Sequence, residues 1–149
     1  MKNNLTYYQR YSNSFADPKF LLLRSLYGGG QEGWAAEGKF WALSDMIASS
    51  DQCILLTHKK YVRASICIQL NFTGKELDLF ISRITECELV TNLDGNLIIE
   101  TIRENLAEVL KNRERARKNR LSNKNQSKEQ PLLFSLKSSR TNSKNSRTN

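Results

Sequence analysis

The chain has 149 residues, 39% of them hydrophobic, with 23 Lys+Arg against 15 Asp+Glu and a formal net charge of +8. That length holds one domain plus an extension, and the modest apolar content predicts that part of the chain stays unfolded. No run of about 18 apolar residues occurs, so no membrane span is expected; the opening MKNNLTYYQRYSNS has no apolar core, so no secretory signal is expected and a cytoplasmic location is.

Residues 1–14 read as an N-terminal arm. Tyr7, Tyr8, Tyr11 and Phe15 are spaced too irregularly to name a helix or strand; such aromatics either pack against a domain or stack on bases. Asp17 followed by Pro18 is a helix start, because the Asp side chain accepts amide protons of the first turn and Pro lacks only an amide that has no partner there. Phe20, Leu22, Leu23, Leu26 and Tyr27 make this helix heavily apolar, which predicts that it is largely buried. Gly28, Gly29 and Gly30 end it, since glycine tolerates left-handed cap geometry.

A second helix is predicted from about Glu32, with Ala36, Phe40, Leu43 and Ile47 at helical spacing and Trp34 and Trp41 flanking the stripe. Gly38 costs a helix roughly 1 kcal/mol against Ala, so another element is expected to pack closely on it. Cys53-Ile54-Leu55-Leu56 is a strand candidate, after which Thr57 is placed to cap a third helix running to about Leu70 and closed by Asn71. Val62, Ile66 and Leu70 line its inner side. Thr73-Gly74-Lys75-Glu76 is a capping box, opening a helix with Leu77, Phe80, Ile81, Ile84 and Cys87 on one face.

Glu88 to Glu100 reads as a β-hairpin around Asp94-Gly95, a pair suited to the positive backbone angles of a two-residue turn; Leu89, Val90, Leu97, Ile98 and Ile99 supply its strands. Thr101-Ile102-Arg103-Glu104 is a second capping box, opening a helix with Ile102, Leu106, Val109 and Leu110 on one side. The expected fold is therefore mainly α with a small β-hairpin. A winged-helix-like domain over residues 15–110, preceded by an extra helix, is followed over 111–149 by a helical extension and a disordered basic tail. In a winged helix, the helix before the hairpin commonly enters the DNA major groove. Here its outer positions Lys75, Asp78, Ser82, Arg83 and Glu86 are charge-balanced and the wing tip carries Asp94, so DNA contact and protein contact both remain open for this face.

Asp17-Pro18-Lys19, the Leu26–Gly28 segment and Glu37-Gly38-Lys39-Phe40-Trp41-Ala42-Leu43 resemble, in order and spacing, the N-terminal domain of phage and mobile-element replication proteins, the replisome-organiser group related to DnaD. The resemblance covers residues 15–105. It implies a DNA-replication accessory role. The chain departs from that group in its three consecutive glycines and in lacking a His-Asp before the first helix.

Charge is divided along the chain. Residues 1–100 carry ten Lys+Arg against eleven Asp+Glu, whereas residues 101–149 carry thirteen against four. A basic extension on a near-neutral domain points to a polyanion, nucleic acid first. Lys111, Arg113, Arg115, Arg117, Lys118 and Arg120 are the candidate DNA contacts; prolonging the helix, they could follow a phosphate backbone in a sequence-tolerant, salt-sensitive way. A solvated charge run is the alternative.

From Ser122 onward the composition cannot bury enough apolar surface to fold. One island interrupts it: Gln130-Pro131-Leu132-Leu133-Phe134 resembles the bacterial sliding-clamp binding peptide, with Pro131 departing from the usual Leu. Gln130, Leu132, Leu133 and Phe134 are the candidate partner-binding residues, for a sliding clamp, a helicase-type replication protein or the protein's own core.

Cys53, Cys67 and Cys87 are odd in number and widely spaced, which fits reduced thiols. Without a CxxC-type pair to join His58, no metal site or other cofactor is expected. The chain has neither a GxxxxGK[ST] phosphate loop nor a GxSxG elbow, and no paired acidic motif, so no enzymatic activity is expected. The function expected is that of a phage or mobile-element replication accessory protein that binds DNA and recruits a partner. A winged-helix transcriptional regulator and a protein-interaction adaptor are the alternatives.

Overall fold

A computed structural model describes residues 4–5 and 14–129. The chain divides into two units, Met1–Glu108 and Val109–Asn149.

Helix α1 (Pro18–Leu26) begins where the Asp17 carboxylate accepts the Lys19 N–H at 2.8 Å. It ends at three successive positive-φ glycines, and the Gly29 N–H returns to the Arg24 carbonyl at 2.8 Å. Helix α2 (Gly30–Ser49) follows directly, starting before Glu32. The expected burial of α1 needs correction. Phe20, Leu23 and Arg24 face inward, whereas Leu21 and Leu22 are 51% and 44% exposed. One inward position belongs to a charge because that charge has a partner: Arg24 Nη1 donates to Glu37 Oε2 across the α1–α2 contact, with both residues buried.

The two helices approach most closely at Gly33, not Gly38. A Cβ on Gly33 would lie 2.8 Å from the Arg24 carbonyl oxygen and 3.0 Å from its Cα, while a Cβ on Gly38 would meet nothing within 4 Å. Phe20 fills the space beside this crossing, edge-on to Phe40 at 5.3 Å between centroids and stacked on Trp41 at 5.2 Å.

After α2, Asp51–Cys53 form a 3-10 turn, so only Leu55–Leu56 of the predicted strand pair as β1. Thr57 does not cap the next helix. Its N–H and Oγ1 both donate to the Gly95 carbonyl, at 2.7 and 2.9 Å, and α3 (Lys60–Leu70) starts later with Lys59 at its cap. Asn71 closes α3 in the left-handed conformation, as expected. The Thr73–Glu76 capping box forms in full: Glu76 Oε2 accepts the Thr73 N–H at 2.7 Å and Thr73 Oγ1 accepts the Glu76 N–H at 3.3 Å. It opens α4 (Gly74–Glu86), which buries Leu77, Phe80, Ile81 and Ile84.

Strands β2 (Thr91–Leu93) and β3 (Asn96–Ile98) form the hairpin, turned by Asp94 and Gly95 at φ 51° and 81°. Leu89, Val90 and Ile99 fall outside the ladder, yet Val90 and Ile99 are buried. β1 joins antiparallel to β3, with Leu55 opposite Leu97, giving a sheet in the order β1-β3-β2. Helix α5 runs Glu100–Glu129. Ile102 and Arg103 donate their N–H groups to the Ile99 carbonyl, so Thr101 sits inside the first turn and the second capping box is not at the helix start.

Helix, strand, two helices and hairpin, with the first strand beside the last, is winged-helix topology, and α1 is the extra helix before it. The core gathers Phe20 and Leu23 of α1, Leu43 and Ile47 of α2, Ile66 of α3, Leu77, Phe80 and Ile84 of α4, Leu97 of β3 and Ile102 of α5. Leu5, in the predicted arm, is buried, and its N–H donates to the Ala48 carbonyl at 2.9 Å. α5 also continues through residues 122–129, where composition predicted no structure. Among the described residues, no helix is long and apolar enough to cross a membrane.

Candidate nucleic-acid interface

Two surfaces are candidates for contact with a nucleic acid, one in each unit. In the first unit it is the winged-helix face, where α4, the start of α3 and the hairpin turn border an open cleft lined by His58, Arg63, Asp78, Ser82, Asn92 and Asp94. The cleft is held by local bonds. Asn92 Oδ1 accepts the Gly95 N–H at 3.0 Å, and a Cβ on Gly95 would come within 3.0 Å of His58 Cβ, so the turn rests directly on the α3 start.

Its cations are largely committed. Arg63 bridges Asp78 at 2.7 Å and donates to the Gly74 carbonyl at 2.8 Å. Arg83 lies over the Tyr27 ring at 4.3 Å; burial pushes the Tyr27 hydroxyl above its ordinary value, against the opposing pull of Arg83. Lys59, Lys60 and Lys75 remain exposed, but so do Asp78, Glu86 and Asp94. Phosphate contact needs surplus positive charge, and this face has little.

In the second unit the described part is helical. Lys111, Arg113, Arg115, Arg117, Lys118 and Arg120 all lie on α5 and are all exposed. Lys118 pairs with Glu114 at 3.0 Å, an exposed i,i+4 contact of a kind that contributes only about 0–1 kcal/mol. The other five make no ion pair among the described residues. Lys124, also exposed, belongs with them although its chemistry was not singled out in the sequence; the signal was its spacing from Arg113, Arg117 and Arg120. The helix thus holds its cations in fixed register, which lowers the entropy lost when they meet a regular array of phosphates.

Gln130, Leu132, Leu133 and Phe134 lie outside the described residues, as do Tyr7, Tyr8 and Tyr11. Cys53, Cys67 and Cys87 are free thiols. Burial pushes Cys53 and Cys87 above the ordinary thiol value, which disfavours the reactive thiolate. Among the described residues no group of three or more His, Cys, Asp and Glu is placed to hold a metal ion. Compared with family models, curated proteins and solved structures, the chain matches none.

Proposed function

We propose that this protein is a non-enzymatic DNA-replication accessory or initiation factor of phage or mobile-element type, acting in the cytoplasm. Its basic α5 segment holds DNA and residues 130–134 recruit a replication partner, a sliding clamp or a helicase-type protein. The observation that carries the reading is the row of exposed cations from Lys111 to Lys124 on one helix with a single acid, Glu114, among them. The resemblance at Asp17-Pro18-Lys19 and Glu37–Leu43 supports the replication context. The nearly balanced winged-helix face supports assigning DNA contact to α5 and leaving the first unit for proteins.

Each neutralised phosphate adds about 0.9 to the slope of log affinity against log salt on duplex DNA. Six contacts therefore predict roughly a thousandfold loss of affinity between about 50 and 200 mM salt. Titrating labelled random duplex and single-stranded DNA with the full chain, and with a variant carrying Gln at the six cations, checks this. Retained affinity in the variant removes α5 as the grip. Affinity that is sequence-selective and independent of the six cations selects a winged-helix transcriptional regulator. No affinity at low salt selects an adaptor, the reading favoured by the balanced charge on α4 and the wing.

A further inference from the structure

The residue types of the α5 segment are sorted around the helix as well as along it. At about 100° per residue, Asn112, Ala116, Asn119 and Asn123 share one strip. Arg113, Arg117, Arg120 and Lys124 form a strip along one side of it, and Lys111, Arg115 and Lys118 a strip along the other. Glu114, the sole acid of this stretch, and Leu121, 56% exposed, lie on the side facing away from the asparagines. Residues 111–124 are all exposed, so burial in a protein core does not account for the sorting. A charge run that only keeps a helix solvated has no reason to split its cations into two strips with a neutral one between them.

We infer that this segment is a duplex-DNA reading helix: it lies in the major groove with the asparagine strip against the base edges and each cationic strip against one of the two bordering phosphate backbones. The dimensions agree. A helix is about 10–12 Å across and the groove about 12 Å wide; Asn112 to Asn123 spans about 17 Å, near five base pairs at about 3.4 Å per step. Two phosphate walls explain two strips. Asn pairs in bidentate fashion with N6 and N7 of adenine, which makes A·T base pairs the favoured targets, and Ala116 leaves room for the close approach. Lys118 exchanges its exposed Glu114 partner for phosphate at little cost.

Other nucleic acids fit less well. A single strand offers one backbone and favours stacking on aromatic side chains, which residues 109–124 lack. Duplex RNA has a deep, narrow major groove that does not admit side-chain reading.

The inference rests on the DNA-binding reading above and narrows it. The full chain is titrated onto an A·T-rich duplex, the same duplex with 7-deazaadenine in place of adenine, its separate strands and the matching RNA duplex. Competition by methyl green, a major-groove ligand, and by netropsin, a minor-groove ligand, is measured alongside. The triple variant Asn112→Ala/Asn119→Ala/Asn123→Ala is compared with the parent; Ala is the better helix former, so the segment stays helical.

The expected result is preference for duplex DNA, displacement by methyl green and not by netropsin, and about tenfold weaker binding to the 7-deazaadenine duplex. In the triple variant that discrimination disappears while the salt slope stays. Displacement by netropsin alone, equal or tighter binding to single strands or RNA, or unchanged discrimination in the variant overturns the major-groove placement while leaving DNA binding in place. Loss of all nucleic-acid affinity in the parent removes both readings.

Discussion

Replacing Glu37 perturbs the contact on which the α1–α2 hairpin depends. Arg24 and Glu37 are 7% and 5% exposed and meet at 2.5 Å. The guanidinium also donates from Nη2 to the Phe15 carbonyl at 2.7 Å and lies over the Trp34 ring at 4.2 Å, while the second Glu37 oxygen accepts from Trp41 Nε1 at 3.4 Å. Removing the carboxylate leaves a buried cation with one carbonyl and the faces of two rings, Trp34 and Phe15. Breaking a buried pair in this way costs about 3–5 kcal/mol, a large part of a total stability of about 5–15 kcal/mol. At 4–8 °C per kcal/mol for a domain of this size, Glu37→Ala lowers Tm by roughly 12 °C or more.

Glu37→Gln keeps an acceptor and loses the charge, so its cost is about half as large. The double variant Arg24→Met/Glu37→Leu removes both charges from the core and lies within about 1 kcal/mol of the parent or above it. Urea unfolding followed by tryptophan fluorescence reads all three, because Trp34 and Trp41 are the protein's two tryptophans and both lie beside the pair. A Glu37→Ala cost under about 1 kcal/mol, or a double variant as unstable as the single one, refutes the assignment of an uncompensated buried charge.

Gly33 and Gly38 of α2 separate cleanly: Gly33→Ala forces α1 and α2 apart and costs about 1–3 kcal/mol, whereas Gly38→Ala, with open space around it, gains up to about 1 kcal/mol; equal effects in thermal unfolding refute the packing difference. The Thr73 N–H bonded to Glu76 holds that carboxyl below its ordinary value, so its contribution to stability is complete above about pH 4.3 and is lost as pH falls through the lower folded value; Glu76→Gln flattens this part of the stability–pH curve, and an unchanged acid limb contradicts the capping role. In native protein an alkylating reagent reaches half-buried Cys67 before Cys53 and Cys87, which are buried and held as thiols; peptide mass spectrometry that finds Cys53 labelled first reverses this order.

The features read correctly from sequence are those whose partners lie within a few residues. The Asp17 cap, the Asn71 terminus, the Thr73–Glu76 box and the Asp94-Gly95 turn each satisfy backbone groups locally, so residue type and spacing contain nearly all the physics. The misreadings share the opposite property. Thr57 has a hydroxyl suited to capping α3, but the Gly95 carbonyl, 38 residues away, takes it. Gly38 looks like the close contact because a glycine is costly inside a helix, yet the crossing falls at Gly33, where the Arg24 backbone arrives. The candidate site was legible in a different sense: Lys111 to Arg120 need no tertiary partner to be exposed and charged. Helix geometry then places Lys124 in register with three of them.

Sequence by itself determined the order of helices and hairpin, the glycine break between α1 and α2 and the concentration of cations beyond Leu110, because these follow from backbone conformational preference and from charge. Tertiary structure alone decided that Arg24 goes inside with Glu37, that Leu21 and Leu22 stay outside, that Leu5 joins the core and that β1 lies against β3. Each of these depends on which distant group supplies the missing hydrogen bond or fills the adjacent volume, and that choice exists only once the elements have come together.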